Sequence, residues 1–180
     1  MLKWLSFGSE LNLGTGVNFF PAVGVDPFLA NGTNAHVSFT VKPTSQLSLE
    51  QTYIYSRLGT RSEPLLPSIP ASVSIFNNHL MRSKINYQFT RELSLRAILD
   101  YDAVLPNESL IAANRTKQFN ADFLVTYLVH PGTALYAGYS NGFENLALDP
   151  TVPPILVRTT SPATVTRRQF FVKLSYQLRF

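Results

Sequence analysis

Between Phe119 and Val129 the chain reads FNADFLVTYLV. Its odd positions are Phe119, Ala121, Phe123, Val125, Tyr127 and Val129, and its even positions include Asn120, Asp122 and Thr126. A period of two predicts a β-strand with one apolar face and one polar face. The same rhythm recurs over 35–41, 47–55, 81–89, 93–103 and 135–140, and again over 170–180, where the chain ends FFVKLSYQLRF. A further strand is expected within Leu2–Leu13, although its two faces are poorly separated. No segment sustains the 3.6-residue period of an amphipathic helix. The pattern therefore predicts about eight strands, most of about ten residues. Strands of soluble sandwiches run nearer five or six residues, roughly half that length. A strand of about ten residues tilted by about 45° crosses the hydrocarbon of a bilayer.

The connections are of two kinds. PTSQ (43–46), the TRE around Arg91 and HPGT (130–133) are tight turns. Between them lie longer Pro-rich segments, expected to be polar loops: 14–34, 59–72, 105–114 and 145–166. The Gly14–Thr15–Gly16 stretch is read as a flexible turn. Tight turns at one end and long loops at the other is the asymmetry of outer-membrane barrels. The predicted fold is all-β: an antiparallel up-and-down transmembrane β-barrel of about eight strands, or part of a larger barrel, in one domain over residues 1–180.

The polar faces carry charges of both signs: Lys42, Glu50, Arg82, Lys84, Arg96, Asp100, Asp102, Asp122 and Lys173. Pairing across the turn at Arg91 brings Arg82 or Lys84 opposite Asp100 or Asp102, and the PTSQ turn brings Lys42 near Glu50. Opposite charges across strands stabilise a pairing, and enclosed charges require such neutralisation. An eight-stranded barrel is just wide enough for side chains to fill it. These residues are therefore expected to form a plugged polar lumen. Aromatic residues lie towards strand ends on the apolar face (Tyr53, Tyr55, Tyr87, Phe89, Tyr101, Phe119, Tyr127, Tyr139, Phe170 and Phe180), the placement of headgroup-level girdles.

Composition narrows the chemistry. The 180 residues contain no cysteine, which excludes disulfides, thiolate metal sites and cysteine nucleophiles. A net charge of +4 is not gathered into any Lys/Arg-rich run, so no nucleic-acid partner is expected. Phosphate loops, zinc-spaced His/Cys sets and nucleophile elbows are absent, and His36, His79 and His130 lie on different segments. No enzyme activity, cofactor or metal site is expected. The first residues, MLKWLSFGSELNL, lack the apolar core and cleavage site of an export signal. The chain is accordingly read as the C-terminal piece of a longer protein, the alternative being a cytoplasmic one.

The C-terminus resembles the β-signal of bacterial outer-membrane barrels, with Leu174, Tyr176 and Leu178 alternating up to a terminal Phe180. The resemblance implies insertion by the barrel-assembly machinery into outer-membrane lipid. The stretches NYQFTRELSLRAILDYDAVLPNESL, PGTALYAGYSNGFENLALDP and RRQFFVKLSYQLRF resemble a narrower group. This is the C-terminal barrel of large bacterial proteins that carry an N-terminal domain like carbohydrate-binding family nine. That resemblance covers most of the chain and implies fold and membrane location. Carbohydrate would be a partner only through the N-terminal domain, which this chain lacks.

The competing reading is a soluble lipocalin-like barrel, with the same alternation inverted so that the apolar set faces a ligand cavity.

Overall fold

The computed structural model describes residues 4–64 and 66–177. The protein is all-β, with 70% of its residues in strands and no helix among the described residues. Seven consecutive long strands run up and down: β1 (Leu5–Asn18), β2 (Phe28–Val41), β3 (Leu47–Thr60), β4 (Ser74–Gln88), β5 (Leu93–Pro106), β6 (Thr116–His130) and β7 (Thr133–Glu144). A short hairpin follows, β8 (Leu146–Asp149) with β9 (Ile155–Arg158), and β10 (Thr164–Tyr176) returns alongside β7. The order in the main sheet is β1-β2-β3-β4-β5-β6-β7-β10, every pairing antiparallel.

Each strand expected from alternation is present, and most are longer than expected, at 12–15 residues. The expected closed barrel is not formed: β1 and β10 are the two edges of an open sheet. Alternation specifies which face each residue takes. It does not specify closure, because an amphipathic strand satisfies its two faces equally well in an open sector of wall.

The tight turns fall where Pro, Gly and hydroxyl residues demand them. Thr44 Oγ1 accepts from the Leu47 amide at 3.1 Å, and Thr90 Oγ1 accepts from the amides of Glu92 and Leu93. Gly132 closes the β6–β7 turn at a φ of 94°, a conformation that disfavours any residue with a Cβ. The Gly14–Thr15–Gly16 stretch is not a turn. It lies within β1, where Gly14 pairs with Gly32 and Gly16 with Ala30. A Cβ on Gly16 would come within 2.8 Å of Leu58 Cδ1, so the glycine makes room for a core side chain.

The buried apolar core is not between sheet layers. It lies at the long-loop end and comprises Phe28, Ala30, Ile69, Ile75 and Leu110, with Val25, Leu66 and Ile111 packed against them. Three of the segments expected to be polar loops, 14–34, 59–72 and 105–114, thus contribute much of the core, and the first of them is largely strand, shared between β1 and β2. Apolar side chains set among prolines cost little backbone entropy to bury.

Candidate lumen face and loop cap

Register assigns every strand residue to one of two faces. The odd-numbered positions of β3 to β6 form one face, with Phe123, Val125 and Tyr127 at 40–46% exposure. Their even-numbered neighbours Asp122, Leu124 and Thr126 are half-buried. Side chains of Ser48, Asn86, Arg96 and Thr126, from strands as far apart as β3 and β6, line one hollow of about 660 Å³ together with Trp4 and Lys42. The sheet therefore curls, with the even-numbered polar face on its concave side.

All nine charged residues expected to face a lumen lie on or beside this concave face. Lys84 Nζ lies 3.1 Å from Glu50 Oε2, their backbones directly opposite in the β3–β4 register. Arg82 grips Asp100 with two bonds, Nε to Oδ1 at 2.6 Å and Nη2 to Oδ2 at 3.1 Å. Planar guanidinium against carboxylate is the geometry that favours such a two-point contact. Arg96 Nε donates to Asn86 Oδ1 at 3.1 Å. Asp122 accepts from Ser140 and lies 3.8 Å from Arg167.

The pairings differ from expectation in three respects. Glu50 is taken by Lys84 and not by Lys42, because the β2–β3 register sets Thr40 opposite Glu50. Lys42 lies nearer the turn, lining the hollow with Arg96, and among the described residues no carboxylate lines that hollow. Asp102 faces Leu80 and Gln118, and its Oδ1 has no protein partner among the described residues. Arg167, upstream of the segment whose alternation predicts a strand, joins the set. β10 begins upstream of the expected Phe170, and its unbroken register from Tyr176 back to Arg167 places Arg167, like Phe171 and Lys173, on the concave face. Lys173 is on that face too, opposite Tyr136.

At the long-loop end the trough is bridged. The β1–β2 loop reaches the β5–β6 loop, with Pro21 bridging to Ile111 and the Ala112 amide donating to Phe20 O at 3.0 Å. Asn18, 2% exposed, donates from Nδ2 to Leu110 O at 2.8 Å. Three strands of the sheet, β2 to β4, separate β1 from β5. This contact is therefore a chord across the curl, filled from below by Ile69 of the β3–β4 loop.

A second anchor is Asn145, fully buried between β7 and β8. Its Nδ2 donates to Thr159 O at 2.9 Å and Arg115 O at 3.2 Å, and its Oδ1 accepts from the Lys117 amide at 2.8 Å. Together with the backbone bonds from Asn145 N to Lys117 O and from Thr159 N to Asn145 O, this amide ties the β8–β9 hairpin to the start of β6.

The convex face carries most of the apolar strand residues, although Ile54, Leu80, Ile98, Leu124 and Phe171 lie on the concave one. Tyr53, Met81, Tyr101, Phe119 and Phe143 form one continuous row across β3 to β7. Tyr87, Phe89, Tyr127 and Tyr176 lie near the tight-turn end, with Tyr87 and Phe89 edge to face at 4.7 Å. Of the expected insertion signal, Leu174 and Tyr176 lie on this face of β10, at 66% and 68% exposure. Leu178 and Phe180 lie outside the described residues.

The apolar run on this face drifts along the strands. One hydrogen-bonded row joins Leu5, Val41, Leu49, Ile85, Ala97, Phe123, Tyr139 and Phe170. On β1 the outward apolar run extends from that row towards the long loops, Leu5 to Leu13. On β10 it extends the other way, Phe170 to Tyr176. The centre of the run moves by about one residue per strand. With about 3.3 Å per residue and about 4.8 Å between strands, the band crosses the strands at about 35° from the perpendicular.

No family model, curated protein or solved structure matches this chain.

Proposed function

We propose that the chain is a wall of a bacterial outer-membrane β-barrel with a structural, anchoring or transport-related role. In this reading the convex face meets lipid and the concave charge pairs form a plugged polar lumen. Further strands take the open edges of β1 and β10, and the C-terminal alternation is read by the assembly machinery.

The observation that carries the reading is the oblique apolar band. A sheet spanning a bilayer must keep its apolar residues at one depth while its strands tilt by about 35–45°, so the band must cross the hydrogen-bonded rows at that angle. A soluble sheet has no reason to keep this drift. The lipocalin-like alternative requires apolar side chains on the inside, whereas Glu50, Arg82, Lys84 and Asp100 occupy the concave face.

The test is refolding from urea into detergent micelles and into water. The membrane reading expects a strand-rich, heat-modifiable species in micelles and aggregation in water, because a large apolar face is outward. A monodisperse, strand-rich species without detergent would sink it.

A further inference from the structure

On the convex face of the main sheet, the charged side chains among the described strand residues are Arg57, Lys117 and Arg168. The main-sheet carboxylates Glu10, Glu50, Asp100, Asp102, Asp122 and Glu144 all fall on the opposite face by register. The three cations form no ion pair among the described residues, whereas Arg82, Lys84 and Arg167 on the concave face each have a carboxylate. Lys117 Nζ donates to a backbone carbonyl, Thr160 O, at 2.6 Å, which leaves its charge uncompensated.

Their placement follows the oblique band. Arg57 is the next outward residue beyond Tyr55 on β3, Lys117 the next beyond Phe119 on β6, and Arg168 the next beyond Phe170 on β10. They occupy different hydrogen-bonded rows: Arg57 is aligned with Asn77, Lys117 with Ala103 and Arg168 with Asn141. Yet Arg57 and Lys117 mark the upper limit of the apolar run on their strands, and Arg168 marks it on the regular part of β10, below a register shift that returns Val165 to this face. Residues on different rows but at one edge of a tilted band share a depth. That depth is the boundary between hydrocarbon and headgroups on the long-loop side.

We infer that Arg57, Lys117 and Arg168 form a basic belt that binds the phosphates of anionic lipid headgroups at the long-loop rim. The inference rests on the membrane reading above. Long cationic side chains at a bilayer boundary keep their stems in the apolar region and place their heads among phosphates. Each basic residue at such a surface strengthens association with anionic lipid by about 1 kcal/mol, roughly fivefold. Arginine adds a planar donor fork suited to phosphate.

The test uses the full chain refolded into phosphatidylcholine vesicles carrying trace spin-labelled lipid, either phosphatidylglycerol or phosphatidylcholine. Electron paramagnetic resonance then gives the relative association of the two labels. The wild type should prefer the anionic label several-fold, and the preference should fall as salt rises. The Arg57→Gln, Lys117→Gln, Arg168→Gln triple variant should show no preference, and the charge-keeping Arg57→Lys, Lys117→Arg, Arg168→Lys variant should retain it. Should the neutral variant not fold, the single substitutions and the wild-type salt titration carry the test, and a salt-independent preference overturns the belt. Insertion of the wild type without preference overturns the belt alone, as does an undiminished preference in the neutral variant. Failure to insert into any vesicle overturns the membrane reading and the belt together.

Discussion

Gly138 leaves a gap on β7 that an aromatic ring fills. Phe171, opposite it on β10, lays its ring where a Cβ would sit, so a methyl group at position 138 would overlap ring atoms Cε1 and Cζ. We expect Gly138→Ala to destabilise the β7–β10 pair by about 1–3 kcal/mol, the usual cost of overpacking. Urea unfolding in micelles measures it, and Phe171→Leu in the alanine background should recover part of the loss. An additive double variant would contradict the contact. Asn145 acts differently. Its replacement by Ala removes the partners of Arg115 O, Thr159 O and the Lys117 amide at a fully buried site, at about 1–3 kcal/mol for each group left unsatisfied. We expect Asn145→Ala to free the β8–β9 hairpin, seen as new proteolytic cleavage within 146–160 with the long strands still protected. Neither role is legible in the sequence. A glycine opposite an aromatic and an asparagine between two strands acquire meaning only once register is known.

At the scale of the element, facing is the most legible property. The alternation of β2 to β7 and β10 assigns apolar and polar faces that the register reproduces. It fails at β1 because Trp4 and Leu5 break the phase. Trp4 lines the hollow at the tight-turn end, and only from Leu5 do Phe7, Leu11 and Leu13 keep to the convex side while Ser6, Gly8 and Glu10 keep to the other. The loops fail for the opposite reason. Proline marks a break in strand pairing whether or not the neighbouring apolar side chains go on to form a core, as Ile69 and Leu110 do. Facing itself can be tested on β6. Val125 lies near the middle of the outward run, 40% exposed, and Thr126 is half-buried on the concave side. We expect Val125→Arg to cost about 2–4 kcal/mol in lipid, as for a cation at the bilayer midplane, and Val125→Leu to be nearly neutral. A refolding titration in vesicles compares them. Equal tolerance of arginine and leucine would mean that the faces are reversed.

For the whole molecule, what the two sheet edges meet decides the architecture. The first eleven residues of β1 and every residue of β10 are exposed, and on the outer edge of each strand the backbone donors and acceptors have no strand beside them among the described residues. Lipid cannot hydrogen-bond these groups, so a membrane-embedded sheet must pair them. Two arrangements satisfy the chemistry. The edges can meet each other, or each can take a strand from elsewhere. The loop cap favours the second. The chord from Pro21 to Ile111, packed on Ile69, braces the loops of β1 to β6 against one another, and in that braced state β1 and β10 are not paired with each other. The edges nevertheless suit strand addition. An even number of alternating strands makes β10 antiparallel to the β1 of a neighbouring wall. The charges on β1 and β10 are also of opposite sign, Glu10 against Arg167 and Lys173. The chain has no cysteine, so a single pair can be introduced cleanly. Ser9→Cys and Val172→Cys place one thiol near the centre of the outward run on each edge strand. Oxidation of the double variant in micelles should give mainly a cross-linked species of about twice the 20.1 kDa chain mass. A mixture of the two single variants should give the same species, and neither variant alone should do so to the same extent. A fast-migrating monomer with both thiols consumed would instead mean that the cap yields and the eight strands close on themselves.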